Sequence, residues 1–238
     1  MTLLSAGTRG HAGRWAFSWR WLLYALFAVV FGGIFAFATL KPIRVLPRIR
    51  LAPGFSLIDQ DGNTLTSEDM RGSIVLYSFL YTHCTGPECD SVKNTLLEVD
   101  RRLPETNLGD TPFRFVVISF DPERDTPERL RAYADSLGVD LDHWTFATGE
   151  PRLLKYIIGG GFEAYYEKKP DGTYMFDPVF VLVDGWGIIR GEYRYQTQIP
   201  NTDRIVRHIG VLAEEVQKSK GAAKAAYEAA HLFLCYAQ

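Results

Sequence analysis

A layered α/β domain is the fold class that this sequence predicts, from three observations. Apolar runs of strand length alternate with helical stretches between residues 54 and 218, and the alternation closes in a strand hairpin followed by an amphipathic helix. Ahead of them, residues 21–40 form one uncharged apolar run. The order β-α-β-α, then hairpin, then helix predicts a thioredoxin-like sandwich with an N-terminal single transmembrane helix and a C-terminal helical extension. The boundaries are 1–20 for an N-terminal tail, 21–40 for the membrane helix, 41–53 for a linker, 54–218 for the folded domain and 219–238 for the extension.

The apolar run "WLLYALFAVVFGGIFAFATL", Trp21 to Leu40, would be about 30 Å long as a helix, the thickness of one bilayer core. Ala36-Phe37-Ala38 has the small-x-small pattern of a signal-peptide cleavage site, but the run exceeds the roughly 7–15 residues of such a segment, which favours an uncleaved anchor in membrane lipid. Arg9, Arg14 and Arg20 precede it and Lys41, Arg44, Arg48 and Arg50 follow, so positive charge does not set the orientation. A redox-active cysteine pair favours the oxidising side of a bacterial-type membrane. The expected location is therefore the inner (cytoplasmic) membrane, single-pass, with the C-terminal domain on the periplasmic or outer side.

After a Pro-containing linker, "FSLIDQDGNTLT" reads as two strands about an Asp61-Gly62 turn, and Ile74 to Leu80 as a buried strand. Val92, Leu96, Val99 and Leu103 recur at helical spacing, so Cys84 and Cys89 lie at a strand-to-helix transition. Phe113 to Phe120 is the next buried strand. "TPERLRAYADSLG" is a helix with Thr126 as N-cap, Pro127 at its first position and Gly138 past its end. "WTFAT" gives a short strand, "PRLLKYII" a short helix, and Gly159 to Gly161 a flexible turn. "DPVFVLVD" and "GIIRGEYRY" pair about Gly185-Trp186-Gly187, and Thr202 to about Lys218 closes the domain. Trp144 reads as a core aromatic and Trp186 as a turn aromatic. The Ala-rich tail "GAAKAAYEAAHLFLCYAQ" forms helix readily, lies beyond what the core needs, and reads as a docking extension.

Composition excludes some functions. With 238 residues, 47% hydrophobic and 23% charged, and a formal net charge of -2 spread along the chain, there is no basic stripe for nucleic acid. No Ser-His-Asp set, phosphate-binding glycine loop or zinc spacing is present, and Gly159 to Gly161 lack the flanks of a nucleotide site.

Two of the three cysteines stand in "YTHCTGPEC". Three readings are open for Cys84 and Cys89: a structural disulfide, a reversible dithiol whose thiolate is favoured at a helix N-terminus, and a Cu(I) site. Cys235, alone in "HLFLCYAQ", reads as a small apolar residue packed on a helix. In "DPERDTPE" the acids Asp121, Glu123, Asp125 and Glu128 read as a strand end, turn and capped helix rather than as a carboxylate centre.

The stretches "YTHC", "ISFDPERDTPERLRAYA" and "WTFATG", with the anchor and the "FSLIDQDGNTLT" hairpin, resemble the Sco/SenC family over roughly residues 20 to 215. The resemblance implies a membrane-anchored thioredoxin fold linked to copper-centre assembly in cytochrome oxidase. It also implies copper held by two cysteines spaced C-x-x-x-C and a distant histidine. This chain departs at both places. Its cysteines read C-x-x-x-x-C, and counting back from "FVLVD" puts Phe176 where the histidine is expected. Two thiolates still suit Cu(I), whereas the imidazole that would also hold Cu(II) is replaced by a side chain without a donor. His83, adjacent to Cys84, is not a ligand in the family pattern, and His143, His208 and His231 fall in distant segments. Pro178 stands where membrane-anchored thioredoxins carry a cis-proline facing their disulfide, a conformation that some X-Pro bonds adopt.

These features lead to the expectation of an accessory subunit, or assembly and stabilising factor, whose partners are integral membrane subunits of an electron-transport complex. No complete copper site and no enzymatic activity are expected. The alternative is a thiol-disulfide oxidoreductase or copper chaperone working through Cys84 and Cys89.

Overall fold

The computed structural model describes residues 19–40, 44–194 and 202–219, and in the tail 224, 227, 228, 230 and 231. Cys235 lies outside the described residues. The chain divides into two compact units, 1–42 and 43–238.

In the first unit, α1 spans Trp19–Leu40, and its described side chains, from Trp19 to Phe35, are exposed and mostly apolar. They run without interruption only from 19 to 33, and among the described residues no helix is long and apolar enough to cross a membrane.

The second unit is a mixed α/β domain. In chain order it comprises β1 (Arg50–Leu51), β2 (Ser56–Asp59), β3 (Thr64–Thr66), β4 (Ile74–Leu80), α2 (Pro87–Arg102), β5 (Phe113–Ser119), α3 (Pro127–Leu137), β6 (Trp144–Thr148) and α4 (Pro151–Leu154). It continues with β7 (Tyr166–Lys168), β8 (Tyr174–Phe176), β9 (Val179–Val183), β10 (Ile188–Arg194) and α5 (Thr202–Lys218). Eight strands form one sheet in the order β1-β10-β9-β4-β5-β6-β2-β3. β4, β5 and β6 run parallel, as crossover helices require, while β9 joins β4 antiparallel and pairs on its other side with its hairpin partner β10. The central strands β4 and β9 are buried at every position, which explains their unbroken apolar sequence. α2 buries Val92, Leu96 and Val99, and packs with α5 beside β4.

Local sequence chemistry accounts for the helix ends. Thr126 caps α3 by accepting from the Arg129 amide, Pro127 opens the helix, and Gly138 closes it at φ 67°, a left-handed conformation that glycine adopts without penalty. Where "PRLLKYII" predicts one short helix, α4 is continued by a π-helical stretch, Lys155–Gly161. The three glycines therefore end a helical stretch, and of them Gly161 is the one in close contact. A Cβ on Gly161 would stand 2.5 Å from Pro53, and the Gly161 carbonyl accepts from Arg50 at 2.8 Å, so chain contact selects glycine there.

Two stretches differ from the sequence expectation. Residues 45–51 do not behave as a free linker: Val45 and Leu46 are fully buried, and β1 pairs with Ile188 and Ile189 of β10. Apolar side chains and an available sheet edge draw them in. The tail residues Tyr227 and Ala230 pack on Val45, Glu228 pairs with Arg48, and His231 lies 2.9 Å from Glu215, so the described part of the extension docks on its own domain.

Candidate functional site

Strand β4 delivers the chain to a turn, Tyr81 to Cys84, closed by the Cys84 amide donating to the Tyr81 carbonyl at 3.1 Å. Five residues later Cys89 sits in the first turn of α2, and the two cysteines form a disulfide with Cα atoms 5.6 Å apart. Gly86 makes the longer loop feasible. It adopts φ 116° as the residue before Pro87, turning the chain so that Cys89 comes back over Cys84. Cys89 is buried and Cys84 half-buried, so Cys84 is the more accessible of the two residues.

What holds this turn is the "DPERDTPE" segment. Asp125, fully buried just before α3, accepts from the Thr82 amide at 2.8 Å, from the Thr82 hydroxyl and from the Ser119 hydroxyl. Arg129, one turn into α3, places its guanidinium 3.1 Å from His83 Nε2. Asp125 is thus neither a metal ligand nor a mere dipole partner; it is the clamp that fixes the residues before Cys84. Asp121 is also fully buried and accepts from the Tyr174 hydroxyl at 3.2 Å, while Glu123 pairs with Lys168 and Glu128 remains exposed. These four acids do not converge, and among the described residues no group of three His, Cys, Asp or Glu is placed to hold a metal ion.

Phe176, at the end of β8, is buried in an aromatic cluster. Its ring centroid lies 6.3 Å from Tyr81 and 5.3 Å from Phe120, and Tyr81 packs 5.1 Å from Tyr174. Burial raises the Tyr174 hydroxyl above its usual range, with the Asp121 carboxylate adding to it, and pushes Tyr166 up to about 12. Beside the cysteine turn, the position expected to carry an imidazole therefore carries an apolar ring packed among aromatics. The sulfurs are bonded to each other, and Phe176 has no lone pair to offer a metal. His143 is turned to Asp100 at 2.9 Å and His208 to the Tyr193 hydroxyl at 2.7 Å, both away from the pair.

The cis conformation that the position of Pro178 left open is not adopted: among the described residues no peptide bond is cis. The Asp177 amide donates to the Tyr165 carbonyl at 3.1 Å, and the chain passes from β8 into β9 almost without a break. An extended trans bond serves that path. Pro178 itself is buried.

The SCO1/SenC family model matches residues 46–214, most of the chain and all of the site just described. This chain belongs to the SCO1/SenC family. Its relatives include a SCO1 protein homolog of Bacillus subtilis, 26% identical over 155 residues that cover 63% of this chain and 77% of the relative. The mitochondrial SCO2 homolog of Bos taurus is 30% identical over 162 residues, 65% of this chain and 58% of that one. Among solved structures, Bradyrhizobium japonicum ScoI with copper bound superposes with TM-score 0.53 at 27% identity, covering 67% of this chain and 99% of that one. Thioredoxin-like architecture and SCO1/SenC membership thus agree with the sequence reading.

The sequence missed the hairpin β7–β8, which carries Phe176 into the aromatic cluster. Its signal was Asp171-Gly172 between "YYEKK" and "TYMF", with Gly172 at φ 80°.

Proposed function

We propose that this SCO1/SenC protein acts as an accessory or assembly-stabilising subunit of a membrane electron-transport complex, held to the bilayer by residues 21–40, and lacks a complete copper site. Phe176 carries this reading: where the resemblance implies an imidazole, a buried phenyl ring fills the space beside Tyr81. Solved relatives are described as copper-bound, and one as a member of the Sco family of cytochrome c oxidase assembly proteins, which supports a respiratory partner. Copper here is cargo. The reduced Cys84 and Cys89 would offer two soft donors for Cu(I), and among the described residues the position where the resemblance implies a third donor holds Phe176.

A second reading is favoured by one observation, the greater accessibility of Cys84 over buried Cys89. A partner thiolate would attack the Cys84 sulfur and break the disulfide, releasing Cys89 as a thiolate at the N-terminus of α2, where the helix dipole stabilises it. A second partner thiol would resolve the mixed disulfide, leaving the partner oxidised and this pair reduced.

Native membranes solubilised gently and separated on a native gel test the first reading. Co-migration at fixed stoichiometry with haem or iron-sulfur subunits is expected. A small separate band that carries copper or a mixed disulfide would overturn it. Copper titration of the reduced full chain in detergent, beside Phe176→His, tests the site: the variant should gain Cu(II) binding, and equal one-to-one Cu(II) binding by the unsubstituted chain would refute the missing-ligand account.

A further inference from the structure

Trp186 is 79% exposed, more than any other described aromatic of residues 44–231, and the site at the cysteines makes no use of it. A rigid turn holds it there. The Asp184 carboxylate accepts from the Trp186 and Ile188 amides at 2.9 and 3.0 Å, and the Arg71 guanidinium donates to the Trp186 carbonyl. Leu51, 66% exposed, lies beside this turn, since it pairs with Ile188 and the next amide, of Ala52, donates to Gly187 at 2.8 Å. Arg48, Lys224 and Trp186 border one concavity together with the acids Asp184, Glu215 and Glu228, and Arg71 borders another with Glu68; Arg48 pairs with Glu228 and Arg71 with Glu68, so the rim carries balanced charge.

An exposed indole with an aliphatic neighbour and a charge-balanced polar rim suits the headgroup level of a bilayer, where an amphipathic ring has one apolar and one wet side. Chain length points to the same occupant. Residues 41–44 alone separate the apolar run from the buried Val45, and four residues reach at most about 14 Å. We propose that Trp186 and Leu51 rest in the headgroup layer of a phospholipid bilayer as a second, peripheral membrane contact; this rests on the anchor reading.

The contact would orient the disulfide. The Gly72 amide donates to the Gly185 carbonyl at 2.9 Å, tying the Trp186 turn to the start of β4, whereas Cys84 follows the other end of that strand. Seven strand residues span about 23 Å, so the pair would face away from the lipid at a set height. A partner presenting its thiols or metal site at that height would be selected.

Full-length protein and Trp186→Phe, each reconstituted into liposomes of phosphatidylcholine and phosphatidylglycerol with or without brominated acyl chains, provide the test. The difference between their emission spectra isolates Trp186 from the other four tryptophans. Blue-shifted difference emission that loses about half its intensity to brominated lipid is expected for an indole at the interface. Unquenched, solvent-like emission from protein that resists carbonate extraction would overturn the lipid contact while leaving the anchor intact, and would assign Trp186 to a protein partner. Release of the chain by carbonate would overturn both.

Discussion

Replacing Asp125 by alanine tests whether the "DPERDTPE" segment serves the cysteine turn. The carboxylate receives three hydrogen bonds, from the Thr82 amide, the Thr82 hydroxyl and the Ser119 hydroxyl, and is fully buried. An unsatisfied buried donor costs about 1–3 kcal/mol. Thr82 is half-buried, so water can reach its groups, and the Ser119 hydroxyl can rotate toward another acceptor. The sum is therefore about 2–4 kcal/mol rather than three full penalties. In a domain of this size each kcal/mol lowers Tm by about 2–4 °C, so Asp125→Ala should melt roughly 5–15 °C lower. Asp125→Asn retains one acceptor oxygen and should lose about half as much. Because Thr82 and His83 are the central residues of the turn closed on Cys84, the alanine variant should also be reduced faster by dithiothreitol. Differential scanning calorimetry and a reductant time course read the two effects. A Tm unchanged by Asp125→Ala, or a stability loss with no change in reduction rate, would refute the clamp.

Three further outcomes are expected. Arg190, buried between Asp184 (2.9 Å) and Glu215 (2.7 Å) while donating to the Leu46 and Pro47 carbonyls, leaves two buried acids when changed to methionine; a loss of about 3–5 kcal/mol in denaturant unfolding is expected, with partial recovery in Arg190→Met, Glu215→Met, and a loss below about 1 kcal/mol would show the cluster to be dispensable. Joint Cys84→Ser and Cys89→Ser substitution opens a short loop and should cost about 2 kcal/mol, matched by the reduced protein; equal stability of the oxidised and substituted forms would count against a structural contribution. The Arg48 guanidinium holds the Glu228 carboxyl below its usual range, so this contact stabilises the docked tail above the unfolded carboxylate value and is lost as pH falls through the lower folded value; the protection of the tail amides, taken as the exchange rate relative to the intrinsic rate at the same pH, should fall as pH drops through the carboxylate range, and protection that is unchanged or rises would refute the contact.

Sequence by itself determined the elements whose chemistry is local. The strands Ile74–Leu80 and Phe113–Ser119 follow from unbroken apolar runs, and α3 from Thr126, Pro127 and Gly138, because strand burial and helix capping are written in neighbouring residues. Family membership was legible in motifs for the same reason. Other features depended on contacts between residues far apart in the chain. The oxidised pairing required Gly86 to turn a lengthened loop, and the service of Asp125 to Thr82 joins residues 43 positions apart. Burial of Val45 and Leu46 required a free edge on β10, and the trans path through Pro178 followed from a hairpin that delivers Phe176 onto Tyr81. Phe176 illustrates the division. Sequence shows only that a phenylalanine stands where the resemblance leads one to expect a histidine, whereas tertiary packing shows its surroundings, because the ring gains its place from Tyr81 and Phe120, which two other segments bring to it.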